Sequence, residues 1–139
     1  MTDTISAERR SWLMSRVRGK NTVPEVVVRS FLHGRGFRFR LHDASLPGKP
    51  DIVLPRHRTV IFVHGCFWHG HRGCTRAKLP NTRPEFWSNK ISLNKKRDES
   101  ALKSIRRVGW NVIIIWECQT HTETALEHGL RRLLTEREH

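Results

Sequence analysis

The chain has 139 residues, 37% of them hydrophobic, which is enough for one modest core and too little for several. Lysine and arginine number 26 against 13 acidic residues, a formal net charge of +13, and a domain this basic points to a polyanion, nucleic acid first, over a merely solvated basic surface. No apolar run approaches the ~20 residues that span a bilayer, Met1 to Arg10 is polar with no secretory core, and three cysteines is an odd count, so a membrane protein and a disulfide scaffold are both set aside in favour of a cytosolic chain with reduced thiols.

Residues 8–18 are predicted as a short helix with Trp12, Leu13, Met14 and Val17 on its apolar side, stopped by Gly19. Thr22-Val23-Pro24-Glu25 has the chemistry of a second helix start. Thr22 caps, Pro24 fits the first turn and Glu25 suits the positive end. That helix turns Val27, Val28, Phe31 and Leu32 inward and ends at His33-Gly34-Arg35-Gly36. Phe37 to Leu41 alternates strictly and is predicted as a half-exposed strand, followed by strands at Asp51–Leu54 and Thr59–His64. A long irregular stretch runs from Gly65 to Arg83. Pro84 to about Val108 is helical and closed by Gly109, Trp110 to Glu117 is a buried strand, and Thr122 to Arg137 is one final helix with Leu126, Leu130, Leu133 and Leu134 apolar. The order α-α-β-β-β-α-β-α implies an α/β fold with a mixed central sheet flanked by helices.

The densest chemistry is His64 to Cys74, HGCFWHGHRGC, entered directly from the apolar strand. Cys66, His71 and Cys74, separated by four and two residues, have spacings that suit tetrahedral zinc, with Cys118 at the end of the last strand as the fourth donor. His69 competes with His71, and spacing does not decide between them. Such an ion would fasten the long loop to the sheet. Pro50-Asp51 opens a strand in a basic chain, a setting for a carboxylate that holds a divalent metal at a phosphodiester. His64 ends the neighbouring strand, and Glu25 is a further acidic candidate or simply a helix-start charge. His64 and His69 are the pair available to move protons near neutral pH. Phe67 and Trp68 are large rings in a loop, where exposure is unfavourable without a partner. Trp87, Lys90 and Asn94 share one helical face, with lysine and asparagine suited to base edges.

The stretches RGKNTVPEVVVRSFLHGRGFRFRLH, DASLPGKPDIVLP, VIFVHGCFWHGHRGC, RPEFWSNKISLN and GWNVIIIWEC together resemble the bacterial very short patch repair endonucleases. The resemblance covers roughly residues 8 to 120. It implies a restriction-endonuclease-like fold, a variant of the PD-(D/E)XK nucleases. It further implies nicking of one strand 5′ of the T in T·G mismatches left by 5-methylcytosine deamination, which opens repair by a polymerase and ligase. Residues 1–139 would be a single domain, with a DNA-contacting helix in 1–20, a nuclease core in 21–121 and a C-terminal helix in 122–139.

By position, the resemblance makes Asp51 and the Val63 carbonyl magnesium ligands, with Glu25 acting on the ion through water. His69 would orient or activate the attacking water and His64 would assist at the phosphate. The zinc set would be Cys66, His71, Cys74 and Cys118. Phe67, Trp68 and Trp87 would insert from the major groove, Met14 and Val17 would press from the minor groove, and Lys90 and Asn94 would contact the mismatched pair. The implied partner is double-stranded DNA carrying the T·G mismatch, met by a cytoplasmic, nucleoid-associated monomer that works with other repair proteins. Departures from the usual pattern are Val63 in place of threonine, one extra residue between His71 and Cys74, and weak likeness after Cys74 and after His121.

Overall fold

The structure is a computed structural model and describes residues 22–138. The first described helix, α1 (Val23–Gly34), begins as its sequence dictates: the Glu25 amide donates to Thr22 Oγ1 at 3.4 Å and Pro24 lies in the first turn. Strands β1 (Arg40–Leu41), β2 (Ile52–Leu54) and β3 (Thr59–His64) follow, then the long helix α2 (Pro84–Arg107) and strand β4 (Asn111–Trp116). Two short helices close the chain, α3 (Glu123–Gly129) and α4 (Arg131–Glu138). No helix among the described residues is long and apolar enough to cross a membrane.

The four strands form one mixed sheet in the order β1-β2-β3-β4. The first three pair antiparallel, with Ile52 opposite Ile61, and β4 joins β3 in parallel, with Val63 opposite Ile115 and His64 opposite Trp116. Side chains alternate across the sheet, so each strand serves two cores. Ile52, Leu54, Ile61, Ile113 and Ile115 face α1, α3 and α4, where Val28, Leu32, Leu126, Leu130 and Leu133 cover them. Val53, Val60, Phe62 and Val112 face the other way, onto Ile105 and Leu102 of α2. Helices on both faces explain why the strands read as continuous apolar runs.

Three sequence expectations need correction. The strand foreseen over Phe37–Leu41 shrinks to two paired residues, Arg40 opposite Val53 and Leu41 opposite Ile52. Phe37 is still turned into the core, so its alternation reports burial and not ladder pairing. The final helix is two helices that break at Leu130. A Cβ on Gly129 would stand 2.7 Å from Ile115 Cδ1, so the glycine lets the turn sit against the sheet, and the bend brings Leu126, Leu130 and Leu133 all beneath it. The expected order α-α-β-β-β-α-β-α is, over the described residues, α-β-β-β-α-β-α-α. The helix expected at 8–18, with Met14 and Val17, lies outside the described residues.

Candidate active site

The ends of β3 and β4, the start of α1 and the middle of α2 surround a cleft of about 820 Å³. Glu25, Asp51, His64, His69, Phe67 and Trp68 are among its lining residues. The parallel β3–β4 pair opens it at the carboxyl ends of its strands, the usual place for a site in such sheets.

One corner is acidic. Glu25 is 2% exposed at the first turn of α1. Asp51 precedes β2 and accepts a hydrogen bond from the Val63 amide at 2.7 Å. Burial pushes the Asp51 carboxyl up to about 6, and the Glu25 charge adds to this, although the Val63 amide pulls the other way. His42 joins the corner: its Nε2 donates to Glu25 Oε2 at 2.7 Å, and its amide donates to the Asp51 carbonyl at 3.0 Å. Arg29 reaches the same Glu25 oxygen at 3.5 Å. Donor atoms of Glu25, His42 and Asp51 lie within 4.8 Å of one another. A buried and a half-buried carboxylate this close repel each other, and a divalent cation between them would relieve both.

Beside it stands a histidine pair. His64 and His69 stack with centroids 3.8 Å apart and planes 6° apart. His69 Nδ1 donates to Asp98 Oδ2 at 2.6 Å, which leaves Nε2 free to accept a proton. His64 is 6% exposed, and its Nδ1 finds no partner among the described residues. Burial, reinforced by the neighbouring His69, lowers its pKa to about 4, so it is a neutral ring at physiological pH.

A third cluster is sulfur-rich. Donor atoms of Cys66, His71, Cys74 and Cys118 lie within 4.8 Å of one another. His71 Nδ1 stands 3.6 Å from Cys66 Sγ and 3.5 Å from Cys118 Sγ. A tetrahedral zinc with ordinary bond lengths has sulfur–nitrogen edges of about 3.6 Å, so this donor set fits it. Burial pushes the Cys66 thiol up to about 12, with the adjoining thiols adding to the effect, so without a cation it stays a neutral thiol. His71 takes its place here and His69 turns to Asp98, which separates the two histidines that spacing left open.

The aromatic residues form a herringbone. Phe67, Trp68 and Trp87 meet edge to face at 5.4 to 5.9 Å, and Phe86 abuts Trp87 at 5.0 Å. Trp87 is 6% exposed and Phe67 and Trp68 are half-buried, so the rings cover one another. Lys90 and Asn94 do share Trp87's side of α2. Lys90 Nζ lies 5.6 Å from the Trp68 ring centre, and Asn94 Nδ2 donates to the Trp68 carbonyl at 2.8 Å, pinning the loop.

Sequence reasoning missed three residues. Asp98 carried a usable signal, since it lies four residues after Asn94 and eleven after Trp87, one further turn along the same face. His42 and Trp116 carried none. His42 arrives through a left-handed backbone (φ 48°), and Trp116 matters through ring contacts alone.

Clustered carboxylates and a histidine–aspartate pair in a strongly basic chain suit hydrolysis of nucleic acid, and the relatives give the class: endonuclease. The chain is 52% identical over 134 residues to the Type II nicking enzyme V.XorIIP of Xanthomonas oryzae pv. oryzae, covering 96% of this chain and 98% of that one. It is 41% identical over 136 residues to the Type II nicking enzyme V.NmeAIP of Neisseria meningitidis serogroup A, covering 98% and 96%. It is 45% identical over 118 residues to the DNA mismatch endonuclease Vsr of Escherichia coli K12, covering 85% and 75%. Residues 2–76 match the family described as DNA mismatch endonuclease Vsr. The chain belongs to that family.

Proposed function

We propose that this endonuclease nicks double-stranded DNA 5′ of the T in T·G mismatches produced by 5-methylcytosine deamination, in a magnesium-dependent hydrolysis that opens short-patch repair. The observation that carries the reading is the juxtaposition, in one cleft, of the Asp51–Glu25 pair, the His64–His69–Asp98 row and the rings of Phe67 and Trp68, which Trp87 backs. On this reading the fold is a restriction-endonuclease-like variant of the PD-(D/E)XK nucleases, and the protein acts as a monomer on DNA in the cytoplasm.

Asp51, the Val63 carbonyl and, at one remove, Glu25 would hold magnesium. When bound, the ion supplies charge neutralisation at the scissile phosphate and acidifies water. The chain's own groups do the rest. The Val63 amide fixes the rotamer of Asp51. Asp98 holds the His69 ring so that Nε2 faces the cleft as an acceptor, and His69 takes the proton of the attacking water. His64 stays neutral beside it; its unpartnered Nδ1 is buried, which leaves the other ring nitrogen to assist at a phosphate oxygen or water. Its neutrality keeps the stacked pair from carrying two positive charges. Phe67, Trp68 and Trp87 enter the base step from the major groove, with unstacking costing a few kcal/mol and least at a mismatch. Met14 and Val17 press from the minor groove, and Lys90 and Asn94 face the mismatched pair, for which Asn94 exchanges its contact with the Trp68 carbonyl. Cys66, His71, Cys74 and Cys118 would hold zinc, which would fasten the loop that carries His69 and the two leading rings.

The test uses labelled duplexes, one with a T·G mismatch in a cytosine-methylase site and one fully paired, incubated with magnesium. The expected product is a nick on the T strand of the mismatched duplex alone. Asp51→Ala should bind the mismatch and cut about a thousandfold more slowly or not at all. Equal cutting of both duplexes would replace the reading with a restriction-type enzyme. Cutting by Asp51→Ala would overturn the metal site, and binding with no cutting by the native chain would leave a non-catalytic module.

A further inference from the structure

The carboxylate corner holds a residue that the magnesium reading does not use. His42 is only 16% exposed on its side chain, and its ring nitrogen is aimed at Glu25. It gets there through a left-handed backbone conformation, φ 48°, which a non-glycine residue adopts at a cost of about 1 kcal/mol or more. Its own amide is tied to the Asp51 carbonyl, so backbone and ring together span the two acidic residues. A histidine serving only as packing has no need to spend strain on directing Nε2 to this point.

We propose that His42 is a direct ligand of the divalent ion held by Asp51, and that its nitrogen biases the site toward manganese and similar transition ions over magnesium. The inference rests on the magnesium-site reading above and deepens it. Three donor atoms, two of oxygen and one of imidazole nitrogen, lie within 4.8 Å of one another. Magnesium is a hard ion that takes oxygen ligands and keeps its waters, whereas manganese and cobalt accept imidazole readily. In the ion-free protein the Nε2–H donates to Glu25. To serve as a ligand the neutral ring would change tautomer, taking a proton from solvent at Nδ1 as it gives up the one on Nε2, so that the Nε2 lone pair could face the metal. The other role open to His42 is to orient Glu25 by that hydrogen bond alone. The two differ in one respect: loss of an orienting contact weakens every divalent ion alike, whereas loss of a nitrogen ligand weakens the transition ions selectively.

The experiment adds manganese to the full-length, zinc-loaded protein and reads its electron paramagnetic resonance, with pulsed detection of nitrogen-14 coupling. The Asp51→Asn variant identifies which bound manganese belongs to this corner, and so separates it from the nearby His64, His69 and Asp98 donors. The expected result is an Asp51-dependent manganese signal with nitrogen coupling in the native chain and none in His42→Gln. In that variant manganese affinity should fall about tenfold, with magnesium affinity, measured by competition, changed much less. An Asp51-dependent signal without nitrogen coupling, coupling that persists in His42→Gln, or equal losses for both ions would overturn the proposal and leave the magnesium reading standing. Absence of any Asp51-dependent manganese would overturn both.

Discussion

Among the described residues are three clusters of metal-donor side chains, and the sulfur and acidic corners are built in opposite ways. The sulfur corner draws Cys66, His71 and Cys74 from one short loop and Cys118 from the turn that follows β4, which is already paired with β3. Its donors are soft and held at tetrahedral spacing, and the Cys118 amide donates back to Cys66 Sγ at 3.4 Å. The acidic corner draws Glu25 from α1 and His42 and Asp51 from the two ends of the β1–β2 connection, uses mostly hard donors, and its two carboxylates line the cleft. A closed set that ties a loop to a sheet suits a structural ion, and an open set facing a cleft suits an ion that must meet substrate.

The largest effect expected from this contrast is at the closed corner. Cys118→Ser should lose stoichiometric zinc and lower stability by about 3 kcal/mol, roughly 10 °C in Tm for a chain of this size. Thermal unfolding and metal analysis of the purified protein measure both. If zinc content and Tm are unchanged, Cys118 is not part of the set and the contrast fails on its closed side.

The open corner should show the reverse sign. Asp51 has its pKa raised from 3.8 to about 6 by burial, so the ionised carboxylate costs stability above that pH. Asp51→Asn removes the charge and keeps an oxygen able to accept from the Val63 amide. With no divalent ion at this corner, the variant should be more stable than the native chain at pH 7, by about 2 kcal/mol once solvent in the cleft is allowed for. The gain should shrink as pH falls through 6 toward 3.8, where the native carboxyl becomes protonated and its penalty disappears. Urea unfolding at pH 7 and pH 4 gives the comparison. Destabilisation by Asp51→Asn at pH 7 would mean that this corner is held together by its charge and is not waiting for a cation.

The two corners also differed in how far the sequence exposed them. Cys66, His71 and Cys74 stand close together in the chain, so short spacing announced a metal set. Spacing left His69 and His71 open and the family resemblance favoured His71; the contact that turns His69 away, to Asp98 on α2, was not visible in the sequence. The acidic corner showed only Asp51, behind Pro50, and a Glu25 that looked equally like a helix-start charge. Its third member, His42, reaches the site through a backbone turn that no periodicity announces. Strands β3 and β4 and helix α2 were legible nearly to the residue, since long apolar runs and a long helical period leave few alternatives. The break at Leu130 was hidden, because Leu126, Leu130, Leu133 and Leu134 keep a helical spacing across it, and the bend follows from Gly129 lying against Ile115.

The smallest expected effect concerns what joins the corners. His71 stacks flat on Trp116, with centroids 4.1 Å apart and planes 8° apart. The same indole meets His64 edge-on at 5.2 Å, and His64 stacks on His69. Trp116 therefore stands between a proposed zinc ligand and the histidines proposed to handle protons, and it acts on them through ring packing alone. If those contacts set the position of His64 and His69, Trp116→Ala should lower kcat about tenfold with KM nearly unchanged, because misplacing a proton acceptor by a fraction of an ångström affects the reacting geometry and not DNA affinity. Trp116→Phe keeps a flat ring on both histidines and should recover most of the rate. Single-turnover nicking, normalised to the folded and zinc-loaded fraction, makes the measurement. A normalised rate in Trp116→Ala equal to that of the native chain would show that the corners work independently, each fixed by its own strand end. A loss rescued by phenylalanine would show that the closed corner shapes the chemistry of the open one across a single indole.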